Sequence, residues 1–138
     1  MTILSIIVSV IMTAVSLFHF YWALGGSYGL KSAGPTLKNK ENFIPSGYLI
    51  FIVACLLLCL AILSLQLVWP LHFVKDYVSY IGYLVSAIFI IRGVGDFKYV
   101  GMFKKIYNSN FARLDTKYFS PLIIFLGLAY AILSKYGI

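Results

Sequence analysis

Carboxylates, imidazoles and thiols are scarce in this sequence: four Asp and Glu, two His and two Cys accompany eleven Lys and Arg. A metal centre built on three or four side chains has little to draw on. The cysteines, Cys55 and Cys59, stand four apart in the middle of an apolar run. On one helix that places them on one face a turn apart, a poor match to disulfide geometry, so they read as small apolar packing residues. A four-helix redox protein would need Cys-x-x-Cys near an interface. Ser-x-x-Lys, His-Glu-x-x-His and phosphate-loop patterns are missing. So is the mid-membrane acid or base that proton-coupled transporters use.

What remains is apolar. Over 138 residues, 62% of the side chains are hydrophobic and 11% charged, with a mean hydropathy of +0.95. That is too little polar surface to cover a soluble globule, so the bilayer must be the solvent. Four stretches, roughly Ile3–Leu24, Gly47–Trp69, Tyr77–Ile91 and Thr116–Ser134, can each cross as a helix. They predict an all-α integral membrane four-helix bundle, one four-span domain over residues 1–138. The first stretch lacks a basic n-region and exceeds a signal-peptide core, so it is expected to stay as an anchor.

The gaps between spans carry the charge. Three basic residues lie in the first gap (Lys31, Lys38, Lys40) and six in the third (Arg92, Lys98, Lys104, Lys105, Arg113, Lys117), whereas Lys75 and Lys135 stand alone on the other side. By the positive-inside rule, loops 25–46 and 92–115 face the cytoplasm and both termini face outward, in a multi-pass cell-membrane protein. The basic residues sit beside membrane helices, so their expected neighbours are membrane lipids rather than nucleic acid.

Several local features refine the spans. Span one ends in aromatic residues and Gly25-Gly26, a helix stop, and a loop of about 20 residues from Ser27 to Pro45 follows. A tight connection through His72, Lys75 and Asp76 makes spans two and three an antiparallel hairpin. The segment 98–117 alternates aromatic and aliphatic residues with Lys and Arg, a mixture expected in the headgroup layer. Ser120-Pro121 resembles a helix start, but about 14 residues from there cover only roughly 21 Å. The fourth span is therefore expected to begin near Asp115, capped by Asp115 or Thr116 and kinked at Pro121.

The strong polar groups near the spans share one depth, on the cytoplasmic side: His19 and Trp22 at the end of span one, Arg92 and Asp96 at the end of span three, Asp115 and Tyr118 at the start of span four. Ionisable groups there face a bundle interior and seek partners. Arg92 and Asp96, four apart, pair if the helix runs through Gly93 and Gly95; if the glycines end it, Arg92 can bridge to Asp115 instead. These residues read either as an ion-pair network tying helix ends or as an anion or headgroup site organised by Arg92. His19 reads either as packed on Trp22 or as a general acid–base or ligand-anchoring group. His72 lies across the membrane from His19, too far for bis-histidine haem. Two carboxylates near one arginine are its counter-ions before they are metal ligands, so no metal or cofactor is expected.

Three motifs in order, His19-x-x-Trp22-x-x-Gly25-Gly26, Arg92-x-x-Gly95-Asp96-Phe97 with Gly101 and Phe103 following, and Phe111-x-x-x-Asp115-x-x-x-x-x-Pro121, resemble the signature of a small bacterial four-span family, domain of unknown function 3995. The resemblance implies a four-helix membrane protein, with His19, Trp22, Arg92, Asp96, Asp115 and Pro121 at the family's motif positions. Two functions are open at this stage. One is binding of a small amphiphile or lipid headgroup in a polar pocket lined by His19, Trp22, Arg92, Asp96, Asp115 and Tyr118, with acid–base chemistry at His19. The other is a non-catalytic accessory or interaction subunit of a membrane complex, with a membrane-protein partner or as a homo-oligomer.

Overall fold

In the computed structural model the described residues are 1–33, 44–72, 74–95, 101–104 and 110–137. The elements are α1 (Thr2–Ala23), α2 (Leu30–Ala33), α3 (Gly47–Gln66), α4 (Lys75–Val94), α5 (Asn110–Leu114), a π-helical turn (Asp115–Phe119) and α6 (Ser120–Tyr136). Thr2–Ala23, Gly47–Gln66, Asp76–Val94 and the continuous run Asn110–Tyr136 are each long and apolar enough to cross a membrane. The chain is an all-α integral membrane protein, a four-helix bundle. Asp96 and the Lys38-Asn39-Lys40-Glu41 stretch lie outside the described residues, as does much of the segment expected in the headgroup layer.

Local chemistry sets the helix ends. Gly25, at φ 101°, turns the chain out of α1 where an L side chain would be strained. Ser46 caps α3, its hydroxyl accepting from the Leu49 amide at 3.4 Å. Gln66 closes α3, its amide oxygen accepting from Leu71 N at 2.9 Å.

The close pairs are α1 with α3 and α4 with α6. The expected hairpin of spans two and three is a correction in packing: α3 and α4 follow one another but touch far less. Serine hydroxyls zip the first pair. Ser5 Oγ donates to Ser64 O at 2.7 Å and Ser16 Oγ to Ala54 O at 2.8 Å. Ser5, Val8, Met12 and Ser16 are the buried positions of α1, recurring at helical spacing. Glycines bring the second pair together, since a Cβ at Gly127 would come within 2.8 Å of the Ile90 side chain and 3.2 Å of its backbone nitrogen. Tyr130, wholly buried, links the pairs through its hydroxyl to the Leu60 carbonyl. Large apolar side chains such as Ile3, Leu17, Leu56 and Leu84 point outward, as lipid solvent demands.

The fourth span differs from expectation. It begins at Asn110, so Asp115 is interior to the helix and caps nothing. Its 27 residues reach roughly 40 Å, beyond the hydrocarbon thickness, which lets its first turns stand at headgroup depth. Pro121 lacks an amide hydrogen, and its ring would crowd the carbonyl four residues back. The wide π turn just before it, closed by Ser120 N on Asp115 O, absorbs that misfit.

Candidate functional site

At the end of α4 the backbone doubles back. Gly95 at φ 88° ends the helix, and Met102 N donates to Gly93 O at 2.9 Å, returning the chain to the helix terminus. Gly101, at φ 94°, is the contact point. A Cβ there would lie 2.3 Å from Val94 O and 2.4 Å from Gly95 Cα, a clash with backbone that no rotamer relieves. α4 closes at Gly95, and Arg92 in its last turn crosses to the neighbouring span.

Asp115 is the centre of what results. Its side chain is 0% exposed, and both oxygens are engaged. Oδ1 accepts from Arg92 Nη2 at 3.2 Å, and Oδ2 accepts from the Gly101 amide at 2.7 Å and from Lys104 Nζ at 3.0 Å. Lys104 is as deeply shielded. Its ammonium donates to Gly101 O at 2.8 Å, to Asp115 Oδ2 and to Thr116 Oγ1, three acceptors for three protons. A lysine can be removed from water to this degree only with its charge met and its protons bonded.

Arg92 is different in kind. Its side chain is 35% exposed. One guanidinium nitrogen bonds Asp115, while Nη1 is buried and has no hydrogen-bond partner. A guanidinium fork with one unpaired, desolvated nitrogen can still engage an oxyanion.

His19 and Trp22 form a second group on α1. His19 Nδ1 lies 2.8 Å from the Val15 carbonyl. A carbonyl only accepts, so Nδ1 carries the proton and Nε2 is the basic nitrogen of the neutral ring. The ring stands edge-on to Trp22, with centroids 5.0 Å apart. Trp22 Nε1 donates to Tyr28 O at 2.7 Å, tying the start of the first loop to α1. A little further on, Ser32 of α2 accepts from Asn110 Nδ2 of α5 at 2.9 Å, so the first loop also touches the start of the fourth span.

Of the residues expected to line one pocket, Arg92 and Asp115 meet directly and His19 and Trp22 meet each other, but no hydrogen bond or ion pair among the described residues joins the two pairs. Tyr118 faces away, 52% exposed, with Lys117 Nζ 5.1 Å from its ring centre. Asp96 lies outside the described residues. Sequence reasoning missed Lys104 and Gly101 as partners of Asp115, and Thr116 as a partner of Lys104. Lys104 reads in sequence as one more interfacial cation, and only the glycine at 101 hints that the chain folds back there. Among the described residues no three His, Cys, Asp or Glu side chains gather as a metal site would require. A shallow apolar groove of ≈ 460 Å³ runs along α1 past Ala14, Leu17, Phe18, Tyr21 and Tyr28, on the lipid-facing side of that helix.

No curated protein and no solved structure matches the chain. A family model does, over residues 12–130, a stretch that takes in His19, Trp22, the Arg92–Asp115 ion pair, Lys104 and the π turn before Pro121. The chain belongs to the DUF3995 family of proteins of unknown function.

Proposed function

We propose that the protein binds a small amphiphile or lipid headgroup at the basic end of its bundle, in the cytoplasmic leaflet of a bacterial cell membrane, with both termini outside. The observation that carries this reading is Arg92: a third of its side chain is open and one guanidinium nitrogen is desolvated without a partner. A cation left in that state at headgroup depth is a binding group awaiting an acceptor. Asp115, Lys104 and Gly101 supply the rigid mount that holds it. On α1, His19 offers a second polar contact, and its fixed Nδ1 proton leaves Nε2 able to take one from a bound molecule.

Native mass spectrometry of the protein extracted with its lipids tests the reading. The parent should carry a bound amphiphile, and His19→Gln, which keeps a side chain of similar reach, should stay folded and lose it. The same species on both forms, or none on the parent, would put the second reading in front. That reading, an accessory subunit or homo-oligomer whose polar residues only lock helix ends, is favoured by the complete sealing of Asp115 and Lys104.

A further inference from the structure

Resting on that reading of the basic end as a ligand site, we infer that the group recognised there is a phosphate, mono- or diester, held by Arg92. The donor inventory separates the ligand classes. A cationic headgroup needs a free carboxylate, and Asp115 has none to offer: it is wholly shielded and accepts from three donors. Lys104 is equally inaccessible, its three ammonium protons spent on Gly101, Asp115 and Thr116. Arg92 alone of the three keeps an unused donor nitrogen and an open flank. An incoming group must therefore accept hydrogen bonds and carry negative charge.

Placement narrows the choice from oxyanions in general to phosphate. Arg92 lies in the last turn of α4, where the hydrocarbon gives way to the layer that holds lipid phosphates. Its guanidinium is planar and presents paired N–H groups at the spacing of two phosphate oxygens. Arg113 and Lys117, exposed on either side of Asp115 in the next span, add positive potential without being consumed by the buried pair, which favours the anion with more charge. A lipid phosphate and a free phosphate share this chemistry.

The protein is purified in a neutral detergent after equilibration with equal amounts of phosphatidylglycerol and the phosphate-free diacylglycerol of matched chains, and the retained lipid is counted by native mass spectrometry. The parent should retain the phosphate-bearing lipid over the phosphate-free one by on the order of tenfold. Lys135→Gln, at the opposite end of the bundle, should match it. Arg92→Gln should lose the preference, and Arg92→Lys, a point charge without the fork, should keep only part of it. Retention that excess inorganic phosphate does not displace supports the inference with a lipid as the source; displacement supports it with free phosphate as the source. Equal retention of the two lipids by the parent overturns the phosphate inference and leaves amphiphile binding standing. Retention of neither overturns the binding reading itself. Both overturning outcomes are read on the parent alone, so neither depends on Arg92→Gln folding.

Discussion

Lys104 Nζ sits 3.0 Å from Asp115 Oδ2, and neither side chain has any exposed surface. The pair joins a loop residue to the interior of a membrane-spanning helix eleven positions later. At that depth the ammonium is tolerable because the carboxylate meets it, so the pair fixes where the returning chain must lie.

Lys104→Met is therefore expected to leave Asp115 with only the part-exposed Arg92 and the Gly101 amide, and to lower stability by on the order of 3 kcal/mol. Arg92→Ala should cost less, since its side chain is a third open and Asp115 would keep Lys104 and the Gly101 amide. This reverses the order that the sequence suggests, in which Arg92 is the buried charge and Lys104 an interfacial anchor. Thermal melting in detergent checks it, with Lys117→Ala as the exposed reference. A Lys104→Met midpoint no lower than that of Lys117→Ala would refute the buried pair.

Two glycines of similar φ give a second comparison. Gly25→Ala and Gly101→Ala both impose a positive φ on alanine, at 101° and 94°, but a Cβ at Gly25 meets nothing within 4 Å whereas one at Gly101 meets the Val94 carbonyl oxygen at 2.3 Å. Gly25→Ala should cost about 1 kcal/mol. Gly101→Ala should cost clearly more and should also loosen the loop carrying Lys104. Equal melting shifts would mean the close return to Val94 is not present.

Tyr130 should show the difference between a hydrogen bond and a filled volume. Tyr130→Phe removes the bond to Leu60 O and keeps the ring, for a loss of about 1 kcal/mol. Tyr130→Ala opens a void where α6 meets α3 and should cost roughly 3 to 5 kcal/mol. If the phenylalanine variant is as unstable as the alanine one, the hydroxyl carries more than this geometry assigns to it.

Orientation is tested by labelling. A cysteine at Lys38 should be shielded from an impermeant thiol reagent in intact cells, and one placed near Lys135 should react, with Cys55 and Cys59 replaced by serine beforehand. The opposite pattern would invert the topology and place the Arg92 site in the outer leaflet.

Membership of the membrane class and the number of spans were legible in residue order because both depend on composition summed over about 20 residues at a time. Such sums survive any packing arrangement. Span ends were legible where the stop is chemical, as at Gly25. They were misread at the fourth span, where Asp115 looks like a cap but lies inside a helix that begins at Asn110. A π turn accommodates the proline, and no local rule announces one.

The sequence by itself determined that this chain lives in a bilayer, that its positive charge gathers at one end, and that His19, Trp22, Arg92 and Asp115 stand near that end. Periodicity and charge counting reach this far because they need no knowledge of which helix touches which. Only the tertiary structure decided that α1 pairs with α3 and α4 with α6, that Arg92 reaches Asp115 across helices, and that Lys104 is sealed against it while Arg92 keeps a nitrogen unused. The sealing of Lys104 turns on a backbone reversal that brings Gly101 against Val94, a contact between residues whose separation along the chain carries no periodic signal.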